Sequence, residues 1–312
     1  MVKFIVRRFL YMVVTLWVIV TLVFFLMKNL PGNPFGEASM KLSADAKKIL
    51  MAQYGLDKPV WEQYLKYMWN ALHGDLGRSY QFPTTRVTEK ISQAFPASAE
   101  LGLWALLIAV IVGLFLGIIA SLNHNKGLDY TAMFTAVIGV SVPSMVLGPL
   151  LSYYVGVKLS VLGLPPGLWN GPEYRVLPAI ALSFGTIAVL ARLMRASMLD
   201  VLSQDYIKTA KAKGLSPNAT VWKHTIRNAI IPVVTALGTI TVNLITGTLI
   251  VEQVFAVPGL GKHFVQAIYS NDYTMIAGLT IFYSAILMIA LFIVDVAYGL
   301  IDPRIRVSKG RA

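Results

Sequence analysis

Six stretches of the chain contain no Asp, Glu, Lys or Arg, and they dominate the pattern of the sequence. They are residues 9–27, 101–125, 130–157, 176–191, 228–251 and 273–294. A helix needs about 20 apolar residues to cross the hydrocarbon core of a bilayer, and five of the stretches meet or nearly meet that length. The fourth is shorter, but Arg192 and Arg195 at its end can extend to the lipid headgroups. The pattern predicts six transmembrane helices.

Lys and Arg are distributed unevenly between the two sides of these helices. If the N-terminus is cytoplasmic, the inner side holds fifteen of them, whereas the two short outer loops hold only Lys158, Arg175 and Lys262. Because cytoplasmic loops are enriched in Lys and Arg, both termini are expected in the cytoplasm. The first helix is expected to remain uncleaved, since its apolar run is too long for a signal peptide and no small-residue cleavage site follows it.

Residues 29–98 form a polar segment of mixed charge between the first two predicted spans. They are expected to fold as small helices on the outer side of the membrane. Ser43 is a suitable N-cap for a helix that runs to Gln53, with Gly55 just beyond its end.

A second outer helix is predicted to begin at Pro59 and to stop before Gly74. Its apolar residues recur at the spacing of one helix face and predict a buried face. They are Trp61, Leu65, Met68 and Leu72. The opposite face would leave polar side chains free for a partner, and these are Glu62, Lys66 and Asn70. Two roles stay open at this point: a passive cap on the outer membrane surface, or a platform for an external protein that delivers the substrate.

The segment 205–232 lies between the fourth and fifth predicted spans and is more basic than a simple loop requires. Seven Lys or Arg but only two acidic residues occur in 192–227. The segment is long enough for two short helices, with Gly214 and Pro217 as breaks between them. Such a hairpin is typical of a docking element for another protein, although an amphipathic loop lying on anionic lipid would have the same composition.

Composition narrows the class of protein further. Hydrophobic residues make up 56% of the 312 and charged residues 13%, far from the average of soluble proteins. The net charge of +12 reflects the basic inner loops, and nucleic-acid binding is disfavoured because no separate basic domain exists. The absence of Cys excludes disulfides, thiol catalysis and Cys-ligated metal centres.

Sequence motifs of enzymatic chemistry are missing. The chain has no Walker-type phosphate-binding loop, so it cannot hydrolyse ATP by that chemistry. It also lacks the serine-hydrolase elbow and the HExxH zinc motif. His124, His224 and His263 are scattered among loops and show no metal-binding spacing. The chain is therefore not expected to be an enzyme, and a partner must supply the energy for any transport.

Short motifs follow one another along the six predicted helices. They are Arg7-Arg8, Pro31-Gly32-Asn33-Pro34, Tyr54 to Pro59, Gly74 to Ser79, Asp205 to Ser216, Arg227-Asn228-Ala229, Val251 to Phe255, Pro258 to Gly261, and Asp302-Pro303-Arg304. In this order, and over essentially the whole length, they resemble the first of the two permeases of peptide-importing ABC transporters of the dipeptide/oligopeptide type. The resemblance implies an all-α integral membrane protein with six transmembrane helices, the type I ABC importer permease fold, and a small helical extracellular insertion between helices 1 and 2.

The basic hairpin is similar to the EAA loop, by which importer permeases grip their ATPase subunit. The general pattern is Glu-Ala-Ala, three residues and then Gly, followed later by a Pro. Here the Glu is replaced by Lys208 and the later Pro has no match at the usual spacing, so the resemblance to peptide permeases implies Thr-Ala-x-Ala-Lys-Gly instead. The resemblance assigns ATPase coupling to Asp205, Tyr206, Lys208, Thr209, Ala210, Lys213, Gly214, Leu215 and Ser216.

The resemblance also implies partners and a cargo. The partners are a second homologous permease that forms a heterodimer, two ATPase subunits that bind ATP and Mg, and an extracellular lipoprotein or periplasmic substrate-binding protein, all at the bacterial inner membrane. No cofactor is expected in this chain. The cargo is a peptide, most readily an oligopeptide, imported by alternating access. Dipeptides, nickel chelates, glutathione and oligosaccharides are alternatives on the same permease frame. An ion-coupled secondary transporter, which would need buried carboxylates, is a remote one.

Two further groups of residues are candidates from their position in the spans. Polar or helix-breaking residues of the third and fifth spans can line the pathway or only serve helix packing, and these are Pro143, Ser144, Thr239, Asn243 and Thr246. Charged residues near the inner ends of spans are interface candidates, and these are Arg192, Arg195, Asp295, Asp302 and Arg304. Asp295 is expected to pair with Arg304 or with an arginine of the fourth helix rather than to relay protons.

The predicted organisation has four parts. Residues 1–28 form the first transmembrane helix and 29–98 the extracellular helical insertion. Residues 94–303 form the transmembrane domain of the importer, including the cytoplasmic coupling hairpin at 197–228, and 304–312 form a basic cytoplasmic tail.

Overall fold

The computed structural model describes residues 2–29, 43–160, 163–245 and 249–301, and this part of the chain is built of helices and turns without a β-strand. Its α-helices are α1 (Val2–Asn29), α2 (Ala44–Tyr54), α3 (Val60–Leu72), α4 (Val87–Leu122), α5 (Gly127–Ser141), α6 (Ser144–Leu150), α7 (Val176–Leu202), α8 (Asp205–Ala212), α9 (Pro217–Ala219), α10 (Arg227–Ile245), α11 (Leu249–Val254), α12 (Leu260–Tyr269) and α13 (Tyr273–Ile301). The chain divides into two compact units: unit 1 is 1–96 with 259–312, and unit 2 is 97–258.

The predicted membrane spans are present among the described residues. Five continuous helical runs are long and apolar enough to cross a bilayer, and these are Lys3–Asn29, Val87–Leu122, Pro172–Leu202, Pro217–Ile245 and Tyr273–Val296. A sixth is a bent pair, in which Gly127–Ser141 and Ser144–Lys158 meet at 99°. Counting the pair as one span confirms the predicted all-α architecture with six spans.

The bend in the third span has a local cause at Pro143. A proline has no backbone N–H to donate and disfavours helical geometry in the residue before it. Val142 accordingly is extended, with φ −93° and ψ 111°, and ends α5, while Pro143 stands at the N-cap of α6. Beyond α6 the helix widens to a π-helical stretch at Leu151–Lys158.

Several spans extend further than the uncharged stretches predicted. The second begins at Val87, well before its stretch at 101–125. The fourth runs over Pro172–Leu202, so Arg192 and Arg195 lie within the helix and not at its end. The fifth begins at Pro217 and includes the second half of the basic hairpin. Charged residues end an apolar run in the sequence, but they do not end a helix whose charges find partners or water.

In unit 1, the first and last spans pack together beneath the outer helices. A buried core of Val20, Val23, Leu279 and Ile281 joins α1 to α13. At the outer start of α13, the buried Asp272 is an N-cap that accepts hydrogen bonds from the Met275 N–H at 3.2 Å and from the Ser79 hydroxyl. The loop around Ser79 is thereby tied to the end of the last span, which gives the Gly74–Ser79 motif a structural role.

The ends of the two outer helices follow the predicted capping chemistry. The Ser43 hydroxyl accepts from the Ala46 N–H at 3.3 Å, and α2 ends at Gly55, whose φ of 69° is left-handed. Pro59 is the N-cap of α3, and Gly74, with φ 77°, follows its end. These local predictions are confirmed. They could be made from sequence because a cap forms its hydrogen bonds with residues nearby in the chain and does not depend on distant packing.

The predicted buried face of α3 is wrong. Trp61, Leu65 and Leu72 are 64%, 57% and 77% exposed in the chain. Of the four predicted residues, only Met68 packs against the core of unit 1, together with Tyr67 and Ala71, while Tyr64 lies against α1. Helical spacing shows which residues share a side of the helix, but in a membrane protein the apolar side need not be the one that meets protein.

In unit 2, small residues allow α4 and α7 to approach closely. A Cβ at Gly117 would lie 2.7 Å from both the Ala191 carbonyl oxygen and the Met194 Cβ. A Cβ at Gly113 would lie 2.9 Å from the Leu190 Cβ. Glycines four residues apart are a packing signal between membrane helices. The core of this contact continues toward α10 through Met198 and Ala229, together with other buried residues.

Candidate functional site

The basic hairpin begins with α8, which has one buried side. Asp205 lies in the first turn, where a carboxylate favours the helix dipole, and it accepts from Lys208 Nζ at 2.8 Å. Ile207 is fully buried and Ala210 is 8% exposed. This side of α8 packs against the π-helical turn Thr220–Ile226. The hairpin is therefore a folded element with its own small core.

The end of α8 is a Schellman motif, a helix C-terminus closed by two backbone hydrogen bonds around a left-handed residue. The Gly214 N–H donates to the Lys211 carbonyl at 3.0 Å, and the Leu215 N–H donates to the Ala210 carbonyl at 3.3 Å. Gly214 has φ 80°, which a residue with a Cβ adopts only with strain. The half-buried Leu215 occupies the position that usually supplies the accompanying apolar contact.

The next helix starts two residues later. The Ser216 hydroxyl accepts from the Ala219 N–H at 3.3 Å, and Pro217 occupies the first helical position, where its missing N–H costs nothing. The helix then continues without a break from Pro217 through Ile245. The second half of the predicted hairpin is thus the inner end of the fifth span and not a separate short helix.

The side of the hairpin that faces away from its own core is available to another molecule. Tyr206 is 45% exposed and Trp222 is 68% exposed. Lys208 and Lys213 are also exposed, and a Cβ built at Gly214 meets no atom within 4 Å. Thr209 is exposed as well, although its hydroxyl donates to the Asp205 carbonyl at 3.0 Å. These side chains do little to hold the hairpin together.

Three of the five pathway candidates lie around one cavity in unit 2. The cavity of about 430 Å³ is lined by Pro143, Ser144 and Asn243, together with apolar and small residues of α5, α7 and α10. The bend at Pro143 therefore opens space beside the fifth span. Thr239 is exposed on α10 one turn before Asn243, but it does not line the cavity. Thr246 lies outside the described residues.

The charged residues singled out in the spans have partners that differ from the expected ones. Asp295 pairs with Arg8 of α1 at 2.8 Å and not with an arginine of the fourth helix, while Arg304, the other expected partner, lies outside the described residues. Arg192 is exposed and makes no ion pair with any described residue. Asp302 and Arg304 lie outside the described residues.

Arg195 is engaged in an ion pair and does not extend to the headgroups. Its Nε and a terminal nitrogen donate to the two carboxylate oxygens of Asp129 at 2.6 and 2.7 Å. The Asp129 side chain is almost fully buried, and His124 Nδ1 lies 3.4 Å from it. A third hydrogen bond to this carboxylate comes from the Asn125 N–H at 3.0 Å. The ion pair joins the start of α5 to the C-terminal half of α7.

Unit 1 holds a second cavity, of about 540 Å³, beside α3 and the start of α13. Four cations and one acid are among its lining residues, and these are Lys28, Lys58, Lys66, Arg78 and Asp75. The Tyr67 hydroxyl also lies at this cavity, is buried and has no hydrogen-bond partner within the described residues. Burial raises the pKa of that hydroxyl, so it stays a neutral donor. The cavity is suited to an anionic group.

Comparison with known proteins gives the family. Residues 109–307 match the family described as binding-protein-dependent transport system inner membrane component, and residues 1–101 match the corresponding N-terminal family. The chain belongs to the binding-protein-dependent transport system inner membrane components. Together the two matches account for nearly all of the given sequence.

Among relatives in this family, the dipeptide transport system permease protein DppB of Bacillus subtilis is 47% identical over 309 residues, 99% of each chain. The oligopeptide transport system permease protein OppB of Salmonella typhimurium is 40% identical over 309 residues, 98% of this chain and 100% of that protein. DppB of Lactococcus lactis is 39% identical over 98% of this chain. The expected resemblance is confirmed.

A solved structure supports the fold of this permease. A crystal structure of an amino acid ABC transporter with histidines aligns with a TM-score of 0.53, covering 68% of this chain and 94% of that chain at 19% identity. At this identity the likeness concerns the fold alone. The extra length of the present permease is consistent with the outer segment between the first two spans.

Buried carboxylates of the permease are the residues that the sequence analysis missed. Asp129 and Asp272 are described above, and Glu252, also fully buried, accepts from the Ser98 hydroxyl at 2.7 Å. Each has a partner far away in sequence. The signal available in sequence was an acid beside an uncharged stretch, and all three carry it: Asp129 precedes 130–157, Glu252 follows 228–251 and Asp272 precedes 273–294. The sequence analysis used this signal only at Asp295. In the described residues, no group of three or more His, Asp or Glu side chains could hold a metal ion.

Proposed function

We propose that this chain is the membrane-spanning subunit of an ATP-driven importer that moves peptides into the cell by alternating access. Family membership and relatives named as dipeptide and oligopeptide permeases support a peptide cargo. The single observation that carries the coupling role is the folded hairpin whose exposed side chains do not serve its own structure. The chain itself is non-catalytic, and ATP with Mg is bound by its partners.

The hairpin is suited to transmit force from an ATPase subunit. α8 is braced against Thr220–Ile226, and that turn belongs to the same continuous helix as α10. Val221 and Ile226 also pack with Met198 of α7 in one core. A push on α8 therefore acts on the fourth and fifth spans together. The cavity at Pro143 and Asn243 lies between those spans and the bent third span, so their movement would change the pathway.

The partners follow from this arrangement. A second permease completes the pathway, two ATPase subunits engage the hairpins, and an external substrate-binding protein delivers the peptide. The exposed Tyr206, Lys208 and Lys213 fit an ATPase groove with an acidic rim. On the outer side, the cationic cavity near Lys58 and Lys66 fits an acidic surface of the delivering protein.

The orientation of this arrangement gives a prediction for reporter fusions. Because inner loops are enriched in Lys and Arg, fusions at the hairpin side should be cytoplasmic, and the positions are Lys126, Gln204 and Ala312. Fusions at the opposite side should be external, and the positions are Asp75, Asn170 and Asn271. Paired cytoplasmic and periplasmic reporter enzymes would measure both sets. A clear external signal at Gln204 would contradict the orientation, since the segment 192–227 carries seven of the fifteen inner Lys and Arg, more than any other inner segment.

The cargo is tested by uptake into vesicles that contain the complete transporter. We expect ATP-dependent accumulation of a labelled peptide, and a panel from dipeptides to pentapeptides would define the length preference. The matched control is the same complex with ATPase subunits that bind ATP but do not hydrolyse it. Uptake of a nickel chelate, glutathione or an oligosaccharide in place of every peptide would overturn the peptide assignment while leaving the importer assignment intact.

A further inference from the structure

α3 carries an apolar stripe that no other part of the described chain covers. The stripe consists of Trp61, Leu65, Trp69 and Leu72, which are 57% to 77% exposed. These residues recur at helical spacing, so their side chains share one side of α3. Two tryptophans and two leucines in water would be costly, because burying each large apolar side chain is worth roughly 1.5–3 kcal/mol. Something outside the described part of the chain must cover the stripe.

The contacts of α3 with α1 establish which way the stripe faces. At the end of the first span, Lys28 donates to Gln63, which belongs to the polar side of α3. Deeper in the span, the Thr21 hydroxyl lies 2.7 Å from the Tyr64 hydroxyl, on the side of α3 nearer the stripe. Thr21 and Lys28 are seven residues apart, about 10 Å along a helix axis. The polar side of α3 therefore lies near the end of the span, and the stripe lies on the side of α3 that is deeper in the membrane.

The neighbouring surface of α1 supports the same direction. The Phe25 ring stacks on the Tyr64 ring with centroids 5.8 Å apart, and Phe25 is 43% exposed. Leu22 and Leu26 are exposed on the same span, which an apolar helix can expose only to lipid or to another membrane helix. The stripe thus continues an apolar surface that already lies at membrane depth. On the other side of α3, Lys66 and Asn70 line the cationic cavity.

We propose that α3 is an interfacial helix, seated in the adjacent leaflet of the bilayer with its apolar stripe toward the acyl chains. Such helices lie in the membrane plane with the apolar face buried about 5–10 Å into the boundary between headgroups and acyl chains. Tryptophan is enriched at this depth because its ring is apolar and its N–H is polar. With the stripe in lipid, the opposite side of α3, which lines the cationic cavity, faces the water. The proposal requires only that α1 spans the membrane and is independent of the cargo.

The test uses the absence of cysteine in the native chain. Single cysteines at Leu65 and Trp69 would carry a nitroxide label in the complete transporter in nanodiscs, with Leu72 as a further position if either variant assembles poorly. Electron paramagnetic resonance then measures collisions with oxygen, which concentrates in lipid, and with a water-soluble nickel complex. Leu22→Cys is the control for lipid, and Lys208→Cys, measured without the ATPase subunits, is the control for water.

Lys66→Cys and Asn70→Cys carry the same label on the polar side of α3 and are the matched comparison. We expect the oxygen-to-nickel collision ratio at Leu65 and Trp69 to exceed that at Lys66 and Asn70 by about tenfold, because the stripe is buried in the lipid boundary. Frequent nickel collisions on the stripe would overturn the proposal by placing it in water. Infrequent collisions with both reagents would also overturn it, because the stripe would then be covered by the second permease or by the binding protein.

Discussion

Gly214→Val in the reconstituted transporter is expected to reduce peptide uptake to less than about a tenth of the native rate, with the permease still inserted. Gly214 has φ 80°, and a β-branched residue there costs on the order of 1–3 kcal/mol. The strain would open the two hydrogen bonds that end α8 and shift the exposed residues that face the ATPase. Uptake and ATPase stimulation by the loaded binding protein, measured together, would separate lost coupling from lost assembly.

Two matched variants sharpen this experiment. Gly214→Asn should keep most of the transport, because Asn tolerates the left-handed region better than other residues with a Cβ. Gly163→Val carries a comparable backbone strain away from the hairpin, since Gly163 has φ 62° and open space around its Cβ position. Equal losses of peptide uptake in Gly163→Val and Gly214→Val, or normal uptake by Gly214→Val, would exclude a special role of the hairpin in coupling.

Asp129→Ala is expected to destabilise the permease by about 3–5 kcal/mol, because it leaves the Arg195 guanidinium without its partner in a largely buried site. The carboxylate of Asp129 is 2% exposed and accepts both guanidinium hydrogen bonds. Thermal unfolding of the purified complex would measure the loss. Lys58→Ala is the matched control, since it breaks the exposed pair with Glu62 and should cost at most about 1 kcal/mol.

A double variant distinguishes the pair from the residues that form it. Replacing both Asp129 and Arg195 with Leu removes the unpaired charge, and such apolar replacements of buried ion pairs are often neutral or stabilising. We therefore expect the double variant to recover most of the stability lost in Asp129→Ala. If the stability lost in the double variant equals the sum of the losses in the Asp129→Leu and Arg195→Leu single variants, the two side chains act independently.

The six spans and the ends of the outer helices could be predicted from sequence because both depend on local chemistry. A bilayer requires a run of apolar residues, and caps such as Ser43, Gly55, Gly214 and Pro217 involve partners within a few residues. The hairpin was found for the same reason, since its Schellman motif and N-cap follow one another within the Gly214–Pro217 segment.

The rest depended on contacts between distant parts of the chain. Asp129 and Arg195 are 66 residues apart, and nothing near either residue indicates the other. The side of α3 that meets protein was missed because tyrosines contribute to it: Tyr64 contacts α1 with its ring and hydroxyl and Tyr67 with its ring, whereas the more hydrophobic Trp61 and Leu65 remain outside. Apolar spacing cannot distinguish a side that faces protein from one that faces lipid.

The bend at Pro143 changes the medium that a peptide would meet inside the membrane. α5 has 15 residues and rises about 22 Å, less than the roughly 30 Å of the hydrocarbon core. The interrupted backbone therefore lies at a depth where acyl chains cannot solvate it, and such backbone is tolerated only when protein or water surrounds it. The cavity beside Ser144 and Asn243 has a volume of about 430 Å³, which is large enough for water to reach this backbone. Water held there would raise the local dielectric constant and so lower the transfer free energy of amide groups, which is the main cost of carrying a peptide backbone across a bilayer.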